Sequence, residues 1–145
     1  KMITDLERIG DEAKKIAKLA KRQHTSEAPF RPRVELRHAA NLTIDMLRKT
    51  LDAFARLDMT TVAVVVREDK QVDAEFKGII RQIITFVMED PRTISSSIDM
   101  LFMAKAVERI GDHAKNMSEY VVYMVKGRDI RHAGITALEK EVNED

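Results

Sequence analysis

The feature that most constrains the fold is a long helical stripe of apolar residues that ends at one short junction. Between Val62 and Val87 apolar side chains recur every three or four residues, which is the spacing of one face of an α-helix. Asp90-Pro91 then combines a preferred N-cap residue with a proline at the first helical position. A second helix must therefore begin almost where the first ends, and the two form a tight antiparallel hairpin.

The same spacing predicts four helices in all. The first is expected over Met2 to Ala20, with a packing stripe of Met2, Leu6, Ile9, Ala13, Ile16 and Ala20. The second is expected at about 33–57, beginning after Pro32, with a stripe of Ala40, Ile44, Leu47, Leu51 and Phe54. The hairpin helices are expected at about 60–89 and from Pro91 to Gly127, a common residue just past a helix end.

These helices would be long rods joined by short loops, so the predicted fold is all-α, an elongated up-down helical bundle. The fourth helix has two apolar faces, and we expect both to be covered. One face contains Met100, Met103, Val107, Ile110, Ala114, Met117, Val121 and Met124, and the other contains Ile94, Ile98 and Leu101. The first helix has a stripe that could pack on the former.

Composition argues against several classes of protein. The 145 residues include 25 basic and 24 acidic side chains, a net charge of +1, so no global field favours nucleic acid or an anionic membrane. The absence of cysteine excludes disulfides and thiolate metal sites. No apolar run approaches the roughly 20 residues that a membrane-spanning helix needs. We therefore expect membrane contact only through partner proteins.

A nine-residue segment occurs twice in the chain. Glu7-Arg-Ile-Gly-Asp-Glu-Ala-Lys-Lys15 and Glu108-Arg-Ile-Gly-Asp-His-Ala-Lys-Asn116 share seven of nine residues. Each copy places two carboxylates four residues apart on one helix face, where like charges are destabilising unless a cation lies between them. The acidic pairs are Glu7 with Asp11, and Glu108 with Asp112.

The register of the hairpin predicts where one acidic pair meets further acids. Folding about Asp90-Pro91 brings Asp73 level with Glu108, and Asp69 level with Asp112. Packed helices lie about 8–10 Å apart, so these carboxylates converge, and their pKa values rise unless a cation neutralises them. An all-oxygen site suits Mg, Mn or Fe. The sequence thus predicts a metal site for one or more ions, and the alternative is a solvated acidic face interleaved with Arg and Lys.

Several motifs resemble the PhoU family of bacterial phosphate-transport accessory proteins. They are Glu-Arg-Ile-Gly-Asp in both copies, the segment from Arg67 to Asp73, and the segment from Tyr123 to Gly127 followed by Arg131-His132. The resemblance implies two three-helix bundles, each ending in a helix with the repeated motif. Residues 1–22 would then be the last helix of a first bundle whose other two helices are missing, 23–32 a linker, 33–127 the second bundle and 128–145 a charged tail.

The resemblance also implies acidic motifs that hold metal clusters on adjacent helices. It assigns metal binding to Asp69, Asp73, Glu108 and Asp112, with Asn116 at the position of the usual asparagine. Glu7 and Asp11 match in the first copy, but Lys15 replaces that asparagine and the partner helix is absent. We therefore expect a weaker site there.

Three classes of function remain open. The resemblance implies a cytoplasmic, non-enzymatic regulator that binds the ATPase subunit of a phosphate ABC transporter and a membrane sensor histidine kinase, and that holds the phosphate-starvation response off when phosphate is plentiful. We expect such a protein to form a homo-oligomer. The alternatives are a metal-dependent helical-bundle enzyme and a plain helical dimerisation module.

Three histidines have simpler explanations than catalysis. Glu35-Leu-Arg-His38 has the spacing of a di-iron ligand pair, but that site needs a second such motif and two further glutamates. Asp129-Ile-Arg-His132 lies beyond the predicted helix end. His113 follows Asp112 but points away from it on a helical wheel, so we expect a solvated or interhelical side chain.

Overall fold

The computed structural model describes the backbone of residues 2–25 and 34–144, and the side chains of residues 2–24 and 34–127. The described residues contain no strand and form the helices α1 (Met2–Thr25), α2 (Arg37–Arg56), α3 (Met59–Glu89) and α4 (Ile94–Glu144), with a 3-10 turn at Pro91–Thr93. The predicted all-α class is confirmed. At about 1.5 Å per residue, the 31 residues of α3 form a rod of about 46 Å.

Helices α2, α3 and α4 pack on one another as a three-helix bundle, whereas α1 packs on α4. The α1–α4 pair is antiparallel. Near the start of α1, Asp5 lies beside His113 of α4. Near the end of α1, the Arg22 guanidinium lies 3.3 Å from Asp99 of α4. Helix α4 is therefore the central element of the fold, because it belongs to the bundle and also carries α1.

The connections between α2 and α3 and between α3 and α4 are both short, and each contains residues that favour helix ends. Leu57 adopts the left-handed conformation at the end of α2, and the Asp58 carboxylate then accepts a 2.9 Å hydrogen bond from the Thr60 N–H at the start of α3. At the other end, the Asp90 carboxylate accepts from the Arg92 N–H at 3.1 Å, and Pro91 occupies the first helical position. The predicted α3–α4 hairpin is confirmed.

The core of the bundle follows the predicted stripe of α3 closely. Buried residues of this helix are Val62, Val65, Asp69, Val72, Ile79 and Ile83. Most of the first apolar face of α4 is buried against them and against α1, including Met100, Met103, Val107, Ala114, Met117 and Val121. One charged residue, Asp69, is thus embedded in an apolar stripe.

The predicted stripe of α2 is wrong by one residue. The buried positions are Ala39, Thr43, Met46, Thr50 and Ala53, while Ile44 is 48% exposed. Small residues let three helices approach closely, and the buried threonines satisfy their own hydroxyls. The Thr50 hydroxyl donates to the Met46 carbonyl at 2.8 Å, and it also lies 3.3 Å from the Ala114 carbonyl of α4. The close approach of the three helices therefore decided which face of α2 is buried, although the larger apolar side chains lie on the neighbouring face.

The predicted stripe of α1 is also rotated. Ile9, Glu12 and Leu19 are buried, whereas Leu6, Ala13 and Ala20 are exposed. Glu12 lies on this buried face, where its Oε1 is 3.7 Å from Nη1 of Arg109 on α4. The face of α1 that packs on α4 therefore includes a charged residue that pairs across the contact.

Three boundaries and one predicted contact need correction. Helix α1 continues to Thr25, and α2 begins only at Arg37. Helix α4 passes through Gly127 to Glu144, because Gly127 keeps a helical backbone and does not adopt the left-handed conformation of a helix end. The second apolar face of α4 is only partly covered by the described residues, since Ile94 is 52% exposed and Ile98 is also exposed, whereas Leu101 is partly buried against the core. The predicted linker residues 26–32, with Pro29 and Pro32, lie outside the described residues.

Candidate metal centre

Three of the predicted metal ligands meet at the α3–α4 contact. Asp69, Asp73 and Asp112 each contribute one carboxylate oxygen, and these three oxygens lie within 4.8 Å of one another. Asp69 and Asp73 are one helical turn apart on α3, and the hairpin brings Asp112 of α4 level with them. The predicted convergence of acids from both arms of the hairpin is therefore observed for these three residues.

Asp69 is the most buried member of the group, with only 5% of its surface exposed. Its Oδ1 is buried and has no hydrogen-bond partner among the described residues. Its Oδ2 lies 3.9 Å from the Lys115 ammonium. A buried carboxylate oxygen without a partner is costly, so this oxygen is the strongest local indication that the site can accept a cation.

Crowding changes the pKa values of two of these acids. Burial, and then the charges of Asp73, Asp112 and Glu108, raise the pKa of Asp69 to about 6, while Lys115 acts in the opposite direction. The pKa of Asp112 is also raised, first by burial and then by Glu108 and Asp73. Without a further cation, the folded protein therefore resists full ionisation of the cluster.

Two other predicted ligands are placed differently. The Glu108 carboxylate accepts a 2.8 Å hydrogen bond from Lys105, and it lies close enough to act on the pKa values of Asp69 and Asp112. Asn116 is exposed and lines a cleft between α1 and α4, together with Asp5 and Glu119. Glu108 is therefore a neighbour of the cluster, whereas Asn116 lines the cleft beside α1.

Among the described residues, the first copy of the repeat forms no comparable cluster. Glu7 and Asp11 are both exposed, and α3 has no counterpart against this side of α1 among the described residues. Among the described side chains, the group of three aspartates on α3 and α4 is the one that could hold a metal ion. The weaker expectation for Glu7 and Asp11 gains no support from the geometry.

Two of the three histidines considered above have described side chains, and both lie near acids. The His113 Nδ1 lies 2.9 Å from an Asp5 carboxylate oxygen, so His113 is interhelical, as expected. The His38 Nε2 lies 3.6 Å from Glu75. The His132 side chain lies outside the described residues. The prediction that Asp129 to His132 lie beyond the helix end is wrong, because α4 continues past them.

Two lysines beside the acidic cluster were not predicted from the sequence to lie there. Lys115 lies next to Asp69, and Lys105 is bonded to Glu108. Both could have been found from helical spacing, because Lys115 is three residues from Asp112 and Lys105 is three residues from Glu108. These ammonium groups partly offset the negative charge of the cluster.

Comparison with known proteins identifies the family of this chain. Residues 36–121, which contain all of the acidic cluster and most of the three-helix bundle, match the family model described as the PhoU domain. The chain belongs to the PhoU family. The prediction of PhoU membership made from the repeated motif is thus confirmed.

Two PhoU relatives illustrate how far the similarity extends. The chain is 44% identical over 142 residues to the phosphate-specific transport system accessory protein PhoU homolog of Pseudomonas aeruginosa, covering 98% of this chain and 59% of that protein. It is 46% identical over 141 residues to the PhoU of Escherichia coli (strain K12), covering 97% of this chain and 58% of that protein. The chain therefore spans less than two thirds of the length of these PhoU proteins.

A solved PhoU structure confirms the helical architecture. The crystal structure of PhoU from Pseudomonas aeruginosa superposes with a TM-score of 0.79 at 44% sequence identity, over 88% of this chain and 61% of that chain. None of the described helices has both the length and the apolar character needed to cross a bilayer.

Proposed function

We propose that this PhoU-family chain regulates phosphate uptake and the phosphate-starvation response as a non-enzymatic adaptor. The observation that carries the proposal is the 44–46% identity, over nearly the whole chain, to proteins named as accessory proteins of phosphate-specific transport. An accessory protein acts by binding other components. The proposed partners are the ATPase subunit of a phosphate ABC transporter and its membrane sensor histidine kinase, which the chain would meet from the cytoplasm.

The adaptor is further proposed to hold a divalent or trivalent metal ion at Asp69, Asp73 and Asp112, with Glu108 beside it. The donor set fits, because it consists of carboxylate oxygens and because Asp69 has a buried oxygen, Oδ1, with no hydrogen-bond partner among the described residues. Such oxygen ligands suit Mg, Mn or Fe, and carboxylates that bridge two ions would allow the site to hold more than one. A bound cation would neutralise the cluster and join α3 to α4.

Copurification tests the adaptor role. We expect the tagged 145-residue chain to retain the transporter ATPase subunit and the kinase, and expect its expression to lower a phosphate-starvation reporter in phosphate-rich medium. Retention of neither protein, with an unchanged reporter, would contradict the adaptor proposal and favour a plain dimerisation module. Hydrolase or oxidase turnover that requires added Mn or Fe would instead favour the metal-dependent enzyme.

A further inference from the structure

The two copies of the repeat lie on helices that contact each other. Residues of the first copy on α1 and of the second on α4 are related by a constant offset of 101 positions, as from Gly10 to Gly111. Because α1 and α4 are antiparallel and touch within the repeat, the pair has an approximate twofold relation. The groove between them should therefore offer two similar clefts, one towards each end.

Two such clefts exist, and their chemistry is opposite. One, of about 430 Å³, has a basic rim and is called here the basic cleft; its cationic residues are Lys15, Lys18, Arg22, Lys105 and Arg109. The other, of about 670 Å³, is lined by Thr4, Asp5, Asn116, Glu119, Tyr120 and Tyr123. The offset of 101 pairs Lys18 with Glu119 and Arg22 with Tyr123. The two halves of the repeat have thus diverged in charge at equivalent positions.

The cations of the basic cleft are only partly balanced by acids. Within the cleft the Glu12 carboxylate is shared, since its Oε1 lies 3.4 Å from the Lys15 ammonium and 3.7 Å from Arg109. Arg22 and Lys105 pair with the neighbouring acids Asp99 and Glu108. Within the part of the chain whose side chains are described, Lys18 has no ion-pair partner. The Lys105 ammonium also lies 5.3 Å from the Phe76 ring of α3 and offsets the acidic cluster there. The other four cations of the cleft still exceed Glu12 and Asp99, which leaves a local positive charge on a nearly neutral protein.

The floor of the basic cleft adds an apolar requirement. Leu19 and Ala106 form an apolar base, and Phe102 at the rim is 56% exposed. Glu12 is nine-tenths buried, so the one acid that lines the cleft is largely withdrawn from its surface. An occupant should thus bring negative charge and an apolar side chain. A bare inorganic anion offers no apolar surface to Phe102.

We propose that the basic cleft docks an acidic segment of a partner protein. Carboxylates of the segment pair with the rim cations, such as Lys18 and Arg109, and an apolar side chain packs on Phe102. This is the pattern of an amphipathic helix laid in a groove, with acidic residues flanking apolar anchors. The inference does not depend on the metal site or on the regulatory role proposed above.

Fluorescence anisotropy with a defined peptide tests the proposal. The probe is a fluorescein-labelled peptide of about 14 residues, with Leu at helical spacing and Glu at the flanking positions, and its control carries Gln in place of Glu. We expect the intact 145-residue chain to bind the Glu peptide, to bind it less tightly as salt is added, and to bind the Gln peptide at least about tenfold more weakly.

Matched variants locate the binding. Lys18→Glu and Phe102→Ala should each weaken the Glu peptide about fivefold, since one reverses a rim charge and the other removes the apolar anchor. Lys77→Glu makes the same change of net charge at an exposed position of α3 outside the cleft and should leave binding unchanged. Circular dichroism and thermal melting verify that each variant is folded.

Three results would overturn the proposal. They are equal affinity for the Glu and Gln peptides, equal losses in Lys18→Glu and Lys77→Glu, and no peptide binding by a folded chain. Sedimentation of the same samples separates one rival occupant. If Lys18→Glu and Phe102→Ala abolish a dimer while the peptide does not bind, the groove is an interface between two copies of the chain.

Discussion

A carboxylate oxygen of Asp69 on α3 lies within 4.8 Å of one on Asp112 of α4, in the part of the bundle where Asp69 is buried among apolar residues. Two acids so placed repel each other and lose hydration, and the raised pKa values of both record that cost. The same arrangement becomes favourable once a cation supplies the missing charge. The stability of the bundle should therefore depend on metal and on pH.

Metal binding should stabilise the chain through this pair. On adding Mn or Fe at about one hundred times the dissociation constant, the free energy of unfolding should rise by about 2.7 kcal/mol. For a domain of this size that corresponds to an increase of about 5–10 °C in the melting temperature. Differential scanning calorimetry measures the shift.

The control for metal stabilisation uses the other copy of the repeat. Asp69→Asn/Asp112→Asn should abolish the shift, whereas Glu7→Gln/Asp11→Asn should keep it, because those two acids are exposed on α1. An equal shift in both double variants would show that the metal acts elsewhere.

Without metal, the chain should lose stability as the pH rises through the weakly acidic range. The Asp69 carboxyl keeps its proton up to pH about 6 in the folded chain, against an ordinary pKa of 3.8. Between these values the folded state binds more protons than the unfolded state, so the contribution of Asp69 to stability is greatest below pH about 4 and is lost as the pH approaches 6 to 7. Urea unfolding at several pH values measures this slope.

Asp69→Asn should make that pH profile flatter, because the neutral amide has no proton to lose. The part that remains should come from Asp112, whose pKa is raised in the same direction. A profile unchanged in Asp69→Asn would mean that other groups cause the pH dependence.

The rotation of α2 can be tested by truncating two neighbouring apolar side chains. Met46 is fully buried and Ile44 is 48% exposed. Met46→Ala should reduce the free energy of unfolding by about 2–5 kcal/mol, because it leaves a cavity among Val65, Val72 and Ala114. Ile44→Ala should cost less than about 1 kcal/mol. The reverse order in denaturant unfolding would support the stripe that was predicted from the sequence.

The contact between Asp5 and His113 should couple α1 to α4. These side chains are 14% and 24% exposed, and they lie 2.9 Å apart. A double-mutant cycle with Asp5→Ala and His113→Ala should give a coupling energy of about 0.5–1 kcal/mol. The matched cycle at the well-exposed pair Asp52 and Arg56 should give about 0.3–0.5 kcal/mol. A coupling near zero for the first pair would mean that it does not hold α1 in place.

The sequence predicted the hairpin and its register, because both follow from local chemistry. Asp90-Pro91 caps and starts a helix wherever it occurs in such a context, and helical periodicity then brings Asp69 level with Asp112. Helical periodicity also predicted that Asp73 belongs to the acidic cluster. It did not predict that Glu108 is bonded to Lys105, or that Asn116 lines the cleft beside α1.

The errors arose where several helices compete for one surface. The large apolar residues of α2 predicted the wrong face, because four of the five residues on the buried face are small enough for α2 to approach both neighbours, namely Ala39, Thr43, Thr50 and Ala53. Gly127 predicted a helix end, yet a glycine ends a helix only if the chain turns away there. Neither the buried face of α2 nor the continuation of α4 through Gly127 can be predicted from one helix alone.

The amino-acid sequence by itself determined that the chain is helical, where its hairpin folds, and which acids share a level, since each depends on residues close to one another along the chain. Only the tertiary structure decided which face of each helix is buried and which oxygen of Asp69 is left without a partner. It also decided that α1 and α4 lie together and form one basic and one acidic cleft. Those features depend on the distance between separate helices, which is set by the packing of the whole bundle.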